Sequence, residues 1–210
     1  MMHVDPKIVK GLAGCASTNP TRYAVNGILC EDHGGGKGRM VATDGKILAR
    51  VDFKHFDPAE FPSLEAVKSA PNTASTALVP GKELAKACAK ANISKRGIPV
   101  LTKPVMILGE ETSTVIGTDL SSTSSDAVRN IEGRFPNYMD VVPDASDATG
   151  EASFNPELLI KLCEAAIAVN PRSPAIKLTL HGKLRAATIL ARNPNDGTEL
   201  HGLIMPLSID

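Results

Sequence analysis

The chain has 210 residues, 42% hydrophobic and 22% charged, and its 23 basic and 23 acidic side chains cancel to a formal net charge of zero. That length allows one or two domains with a real core. No apolar run approaches the roughly 20 residues of a membrane span, and the opening segment, with Asp5 and no long apolar core, does not read as a signal peptide. Neutrality argues against a tight, sequence-specific DNA binder, which is usually basic overall, but leaves room for basic residues gathered on one face.

In chain order, residues 2–4 read as a short strand. Asp5 then caps a helix with Pro6 at its first position, running to about residue 17 and ended by Asn19-Pro20. Strands are expected at 23–30, 39–43 and 46–51. Gly34-Gly35-Gly36 forms a flexible hairpin loop, and Asp44-Gly45 a tight turn. From 52 to 75, Pro58, Pro62, Pro71 and Asn72 punctuate a partly polar stretch read as a crossover linker.

The pattern then recurs: a strand at 77–79, a helix opened by Pro80 and running to about Lys90, and strands at 105–108, 112–117 and about 121–130. After a loop at 132–138 it recurs once more. This third copy has a strand at 152–154, a helix capped by Asn155 with Pro156 at its first position, and strands at 176–180, 184–190 and 200–205, with Asn195-Asp196-Gly197 as the last turn. One β-α-β-β-β unit used three times, with mostly antiparallel hairpins, predicts an α+β protein with helices packed on curved antiparallel sheets. The expected division is 1–145, holding two units (1–55 and 75–145, joined by a linker at 56–74), and 146–210, holding the third.

Chemistry-bearing patterns are sparse. Cys15, Cys30, Cys88 and Cys163 form no CxxC pair, and three of them sit among Ala, Leu and Val on expected helices. They read as small buried hydrophobes in a reducing cytoplasm. His3, His33, His55, His181 and His201 show no metal-ligand spacing, and Asp44, Asp119, Asp126 and Asp140 no acid–base pairing. The Gly-rich 34–38 stretch lacks the frame of a phosphate loop. No cofactor, no metal and no catalytic residue are expected, and an enzyme on an unrelated α+β fold finds no support in the spacing.

Three stretches resemble the bacterial DNA sliding clamp family, the β subunit of the replicative polymerase. They are Asn26-Gly27 followed by Val41-Ala42-Thr43-Asp44-Gly45, then Gly133-Arg134-Phe135-Pro136-Asn137-Tyr138, then Ile204-Met205-Pro206-Leu207. The family has three domains of two units each. This chain resembles the middle domain plus half of the last.

The resemblance implies the DNA-clamp fold and a replication processivity factor without enzymatic activity. Helix lysines at Lys7, Lys10, Lys82, Lys86, Lys90 and Lys161 would meet duplex DNA non-specifically. Lys82, Lys86 and Lys90 recur every four residues and so share one helix face; spacing alone favours a plain solvated face, and it is the resemblance that tips the reading toward DNA contact. A hydrophobic cleft for short linear peptides of polymerases and clamp-loader-type proteins is implied at Thr43, Gly45, Lys46, Ile47 and Leu48, at Pro136, Tyr138 and Val141, and at Leu203, Met205, Pro206 and Leu207. Taken singly, each of these is better read as core; as a set drawn from three distant segments, they are better read as a cleft. A ring of about twelve units would need four chains of three. The rival reading is a ringless clamp-like module that captures clamp-binding peptides as a decoy or regulator.

Overall fold

The computed structural model describes residues 1–56, 58–70, 74–93, 101–142, 150–182, 185–195 and 198–208. In chain order its elements are β1 (Met2–His3), α1 (Pro6–Cys15), β2 (Gly27–Gly34), β3 (Lys37–Thr43), β4 (Leu48–Lys54), α2 (Glu65–Ser69), β5 (Thr76–Pro80), α3 (Gly81–Ala91), β6 (Val105–Ile107), β7 (Thr112–Thr118), β8 (Thr123–Arg129), α4 (Pro156–Val169), β9 (Lys177–Thr179), β10 (Ala187–Arg192) and β11 (Glu199–Ile204). They divide into two compact units, Met1–Val141 and Val142–Asp210.

Local chemistry fixes where the helices begin. The Asp5 carboxylate accepts from the Lys7 amide at 2.9 Å, and the Asn155 side chain accepts from the Glu157 amide at 2.9 Å. In both helices a proline fills the next position, where an N–H would lack an intrahelical partner. Pro80 precedes α3 without a side-chain cap. The hairpin between β2 and β3 turns through Gly34, Gly35 and Gly36, all at positive φ, a conformation in which a Cβ is costly.

In the first unit the two repeats exchange their opening strands. β1 pairs with β6, setting Met2 opposite Met106, while β5 pairs with β2, setting Val79 opposite Ile28. Two four-stranded antiparallel sheets result, ordered β4-β3-β2-β5 and β1-β6-β7-β8. α1 packs on β2, β3 and β4; α3 packs on β5, β7 and β8; and the two helices pack on each other. One core joins both repeats, with Met2, Val9, Leu12, Ile28, Met40, Val79, Leu84, Cys88, Met106 and Val115 all buried in it. Burying such a side chain contributes roughly 1.5–3 kcal/mol. Desolvation pushes the Cys30 thiol up and raises that of Cys88 to about 12, so both act as apolar core groups.

Each sheet also has its second face covered. Phe61, with Leu64 and Val67 beside it, packs on Val105, Ile107 and Ile116; Phe135 and Tyr138 pack on Val41 and Leu78. The stretch read as a linker is therefore partly structural: it holds a 3₁₀ turn at Pro58–Glu60, α2, and the buried Phe61. Pro71 and Asn72 lie outside the described residues. The strand expected from residue 23 begins only at Gly27, because Asn19 caps a 3₁₀ turn at Pro20–Val25 by accepting from the Thr21 amide. A Cβ on Gly27 would sit 2.7 Å from Leu78 Cδ1 and 2.8 Å from Ile131 Cδ1, so both methyl ends would have to shift to admit it.

The second unit carries α4 over the sheet β11-β10-β9, with Ala187, Ile189 and Ile204 buried against Phe154, Leu159 and Leu162. The strand expected at 152–154 does not form and leaves one isolated bridge, Ser153 to Leu207. In the first unit the corresponding strands each pair on the sheet edge of the other repeat, whereas in the second unit the described residues offer 152–154 no second repeat. Leu184, Asp196 and Gly197 of the expected strand and turn lie outside the described residues.

A Cβ on Gly117 of β7 would lie 1.7 Å from the carbonyl oxygen of Ala91, the last residue of α3. Gly117→Ala must therefore push α3 off its sheet and cost about 3 kcal/mol. Urea unfolding tests this, and a loss below about 0.5 kcal/mol contradicts the packing.

His3, 2% exposed, packs edge-on against Phe56 and Phe61 beside His55. Burial, with His55 and Lys103 adding to it, lowers its pKa from 6.5 to about 4. The unfolded chain thus binds the extra proton first as pH falls. Stability is full above about pH 6.5 and declines by about 3 kcal/mol as pH falls to about 4. His3→Phe should flatten that decline, measured by denaturant unfolding at a series of pH values; an unchanged pH profile contradicts it.

Candidate functional site

The exposed lysines gather on the paired helices of the first unit. α1 contributes Lys7 and Lys10, and α3 contributes Lys82, Lys86 and Lys90. All five are exposed, and the two helices carry one acid between them, Glu83. The helices bury Val9, Leu12, Leu84, Ala87 and Cys88 toward the sheets, so amphipathicity alone turns the lysines outward. Lys90 is partly engaged, its Nζ lying 2.6 Å from an Asp126 carboxylate oxygen at the edge of a shallow groove that Lys86 also lines. Lys161 is exposed on α4 in the second unit.

The first unit brings together two of the segments expected in the peptide cleft. Leu48 packs with Phe135 and Tyr138 in one cluster. The turn before it is over-determined. The Thr43 hydroxyl donates to the Ile47 carbonyl at 2.6 Å and accepts from the Gly45 amide at 3.0 Å, and Asp44 accepts from the Lys46 and Ile47 amides. Those amides, Ile47 first, hold the Asp44 carboxyl below its ordinary range. Gly45 sits at φ +89°, which only glycine adopts without strain. The turn pushes Ile47 (52% exposed) and Lys46 into solvent.

The loop facing this turn is pinned by polar contacts. Tyr138 is buried edge-on against Phe135; its hydroxyl donates to Glu31 at 3.2 Å and accepts from Arg39 at 3.2 Å. Arg39 also binds Asp52, which Arg50 shares. Arg39 lowers the Asp52 carboxyl, with Arg50 adding to it, and Asp52 and Tyr138 in turn raise the Arg39 guanidinium. Thr43 and Tyr138 are thus spent on holding the scaffold, while Ile47 and Pro136 are exposed. Met139, which the motif did not single out, is half exposed as well. Val141 ends the 3₁₀ turn Tyr138–Val141, and its side chain lies outside those described.

In the second unit, Leu203, Met205 and Leu207 are exposed, and Pro206 is half-buried. Leu203 borders an open hollow of about 440 Å³ on the outer face of the sheet, shared with Lys177, Thr179, Thr188, Leu190 and His201. A further cavity of about 270 Å³ in the first unit is lined by His3, Ile8, Phe53, His55, Phe56 and Lys103 and belongs to neither expected surface. Among the described residues, no group of three or more His, Cys, Asp or Glu side chains is placed to hold a metal ion, and no helix is long and apolar enough to cross a membrane.

No family model and no curated relative matches the chain. Solved structures do. A DNA polymerase sliding clamp from Pseudomonas aeruginosa superposes with a TM-score of 0.66 at 20% identity over 97% of this chain. The DNA polymerase III β chain of Streptococcus pneumoniae gives 0.69 at 17% over 97%, and the β sliding clamp of Caulobacter crescentus gives 0.66 at 21% over 98%. The chain spans about half the length of each: 50%, 48% and 50% respectively. By its repeats, its antiparallel sheets and this likeness, the chain has the fold of the bacterial DNA polymerase III β sliding clamps.

Proposed function

We propose that this protein is a clamp-like, non-enzymatic binding protein of DNA replication, acting in the cytoplasm. It contacts duplex DNA without sequence preference through α1 and α3 and engages polymerase and loader-type proteins through short linear peptides. The observation that carries the reading is the lysine array on two adjacent helices of a clamp-fold body, opposed by a single acid within those helices. Lysine side chains on mobile stems neutralise phosphates without reading bases, which suits a protein that must move along a duplex. A neutral chain can still do this, because the charge is local.

For the peptides, the proposed contacts are the exposed side chains at Ile47 and Pro136 in the first unit and at Leu203, Met205 and Leu207 in the second. Exposed apolar side chains of this kind, with an adaptable methionine, accommodate varied apolar anchors. Thr43, Gly45, Leu48 and Tyr138 act beneath them by fixing the turn and the loop.

Two measurements test this. In fluorescence titrations of a labelled duplex, affinity should fall steeply with salt and be indifferent to sequence. Changing Lys7, Lys10, Lys82 and Lys86 together to alanine should reduce the log–log salt slope by about 3–4; an unchanged slope defeats the DNA reading. Titration of a fluorescent clamp-binding peptide tests the second part. Met205→Asp and Ile47→Asp should each weaken binding at least about tenfold, equivalent to about 1.4 kcal/mol. Binding that ignores both substitutions, or no binding by wild type, rejects the peptide reading.

A further inference from the structure

Counting from their caps Asp5, Pro80 and Asn155, the three long helices align position by position. Val9, Leu84 and Leu159 correspond, as do Leu12, Ala87 and Leu162, and Ala16, Ala91 and Ala166; these turn toward each helix's own sheet. The next flank is the one by which α1 and α3 meet, where Ala13 lies against Gly81. On this flank α1 carries Ala13 and Ser17 with Lys10 exposed, and α3 carries Ala85 and Cys88 with Asn92 exposed. In α4 the same positions are Ile160, Cys163 and Ile167. Ile160 and Ile167 are 56% and 49% exposed. The third repeat therefore has an apolar flank where the first two have a helix contact.

The sheet repeats the asymmetry. In the first unit, the first strand after each helix receives the opening strand of the other repeat: β2 takes β5, and β6 takes β1. β9 is the corresponding strand of the third repeat. Among the described residues it pairs on one side only, with β10, and its three residues are all exposed. The third repeat's own opening segment, 152–154, aligns with 2–4 and 77–79 and, among the described residues, makes only the single bridge of Ser153. An unpaired, exposed strand edge is a template for another strand.

We propose that the second unit is one half of a two-fold body completed by the second unit of another copy of this chain. α4 packs antiparallel on α4, and each 152–154 segment adds to the other copy's β9 edge. The first unit is the precedent, since the protein there covers a repeat with a second repeat. The charges agree with a self-complementary contact. In an antiparallel pair crossing near Cys163, Ile160 of one copy meets Ile167 of the other, and Lys161 of each lies alongside Glu164 of its partner. Two chains would then hold three complete two-repeat bodies. This pairing does not depend on DNA or peptide binding.

Light scattering of the full chain at roughly 100 μM, where a micromolar dimer is populated, should report two copies. Ile160→Glu and Ile167→Glu, both exposed and so harmless to the isolated fold, should each weaken association at least about tenfold. Lys161→Glu should weaken it, and Lys161→Glu with Glu164→Lys should restore it. Amide exchange at 177–179 should slow with protein concentration. A monomer at that concentration overturns the proposal. So does self-association that neither glutamate variant weakens, or that leaves the 177–179 amides equally exchangeable at all concentrations.

Discussion

The exchange of opening strands is the constraint on which the rest depends. A single β-α-β-β-β repeat has a three-stranded sheet with an open edge and an isolated first strand. Two repeats solve both problems at once: β1 closes the sheet of the second repeat, β5 closes the sheet of the first, and α1 and α3 share the core so enclosed. This long-range pairing places Met2 in the same cluster as Met106 and Val115, and it forbids a Cβ at Gly117, where the end of α3 rests on β7.

The surfaces follow from that arrangement. With the sheet-facing positions of α1 and α3 committed to the core, Lys7, Lys10, Lys82 and Lys86 are left to solvent and Lys90 reaches Asp126. The remaining sheet faces are sealed by two aromatic segments, one after each repeat, built on Phe61-Pro62 and Phe135-Pro136. The second of these, held by the Glu31–Tyr138–Arg39–Asp52 network, also sets the base beneath Ile47. Among its described residues the second unit holds one repeat, with a small core and with Ile160, Ile167 and Leu178 exposed.

Much of this was legible in the sequence because it is local. Asp5-Pro6 and Asn155-Pro156 announce helices, and the triple glycine a hairpin. What escaped depends on distant partners. The 52–75 stretch reads as a linker by composition, yet Phe61 is buried against Ile116, which no local pattern reveals; its likeness to Phe135-Pro136, 74 residues on, was the available signal. The 152–154 segment resembles two real strands and fails to become one because strand formation needs an edge. The motif at 43–48 pointed to a binding surface without distinguishing Thr43, which ties the turn, from Ile47, which the turn presents.

The central claim is that a clamp-fold body meets duplex DNA through the outward lysines of two paired helices. Lysine-reactivity footprinting of the whole protein with and without duplex DNA tests it most directly. Lys7, Lys10, Lys82 and Lys86 should lose reactivity on any duplex sequence, while the exposed Lys54, Lys68 and Lys177 keep theirs. Protection of Lys54, Lys68 or Lys177 with the helix lysines still reactive would contradict the account.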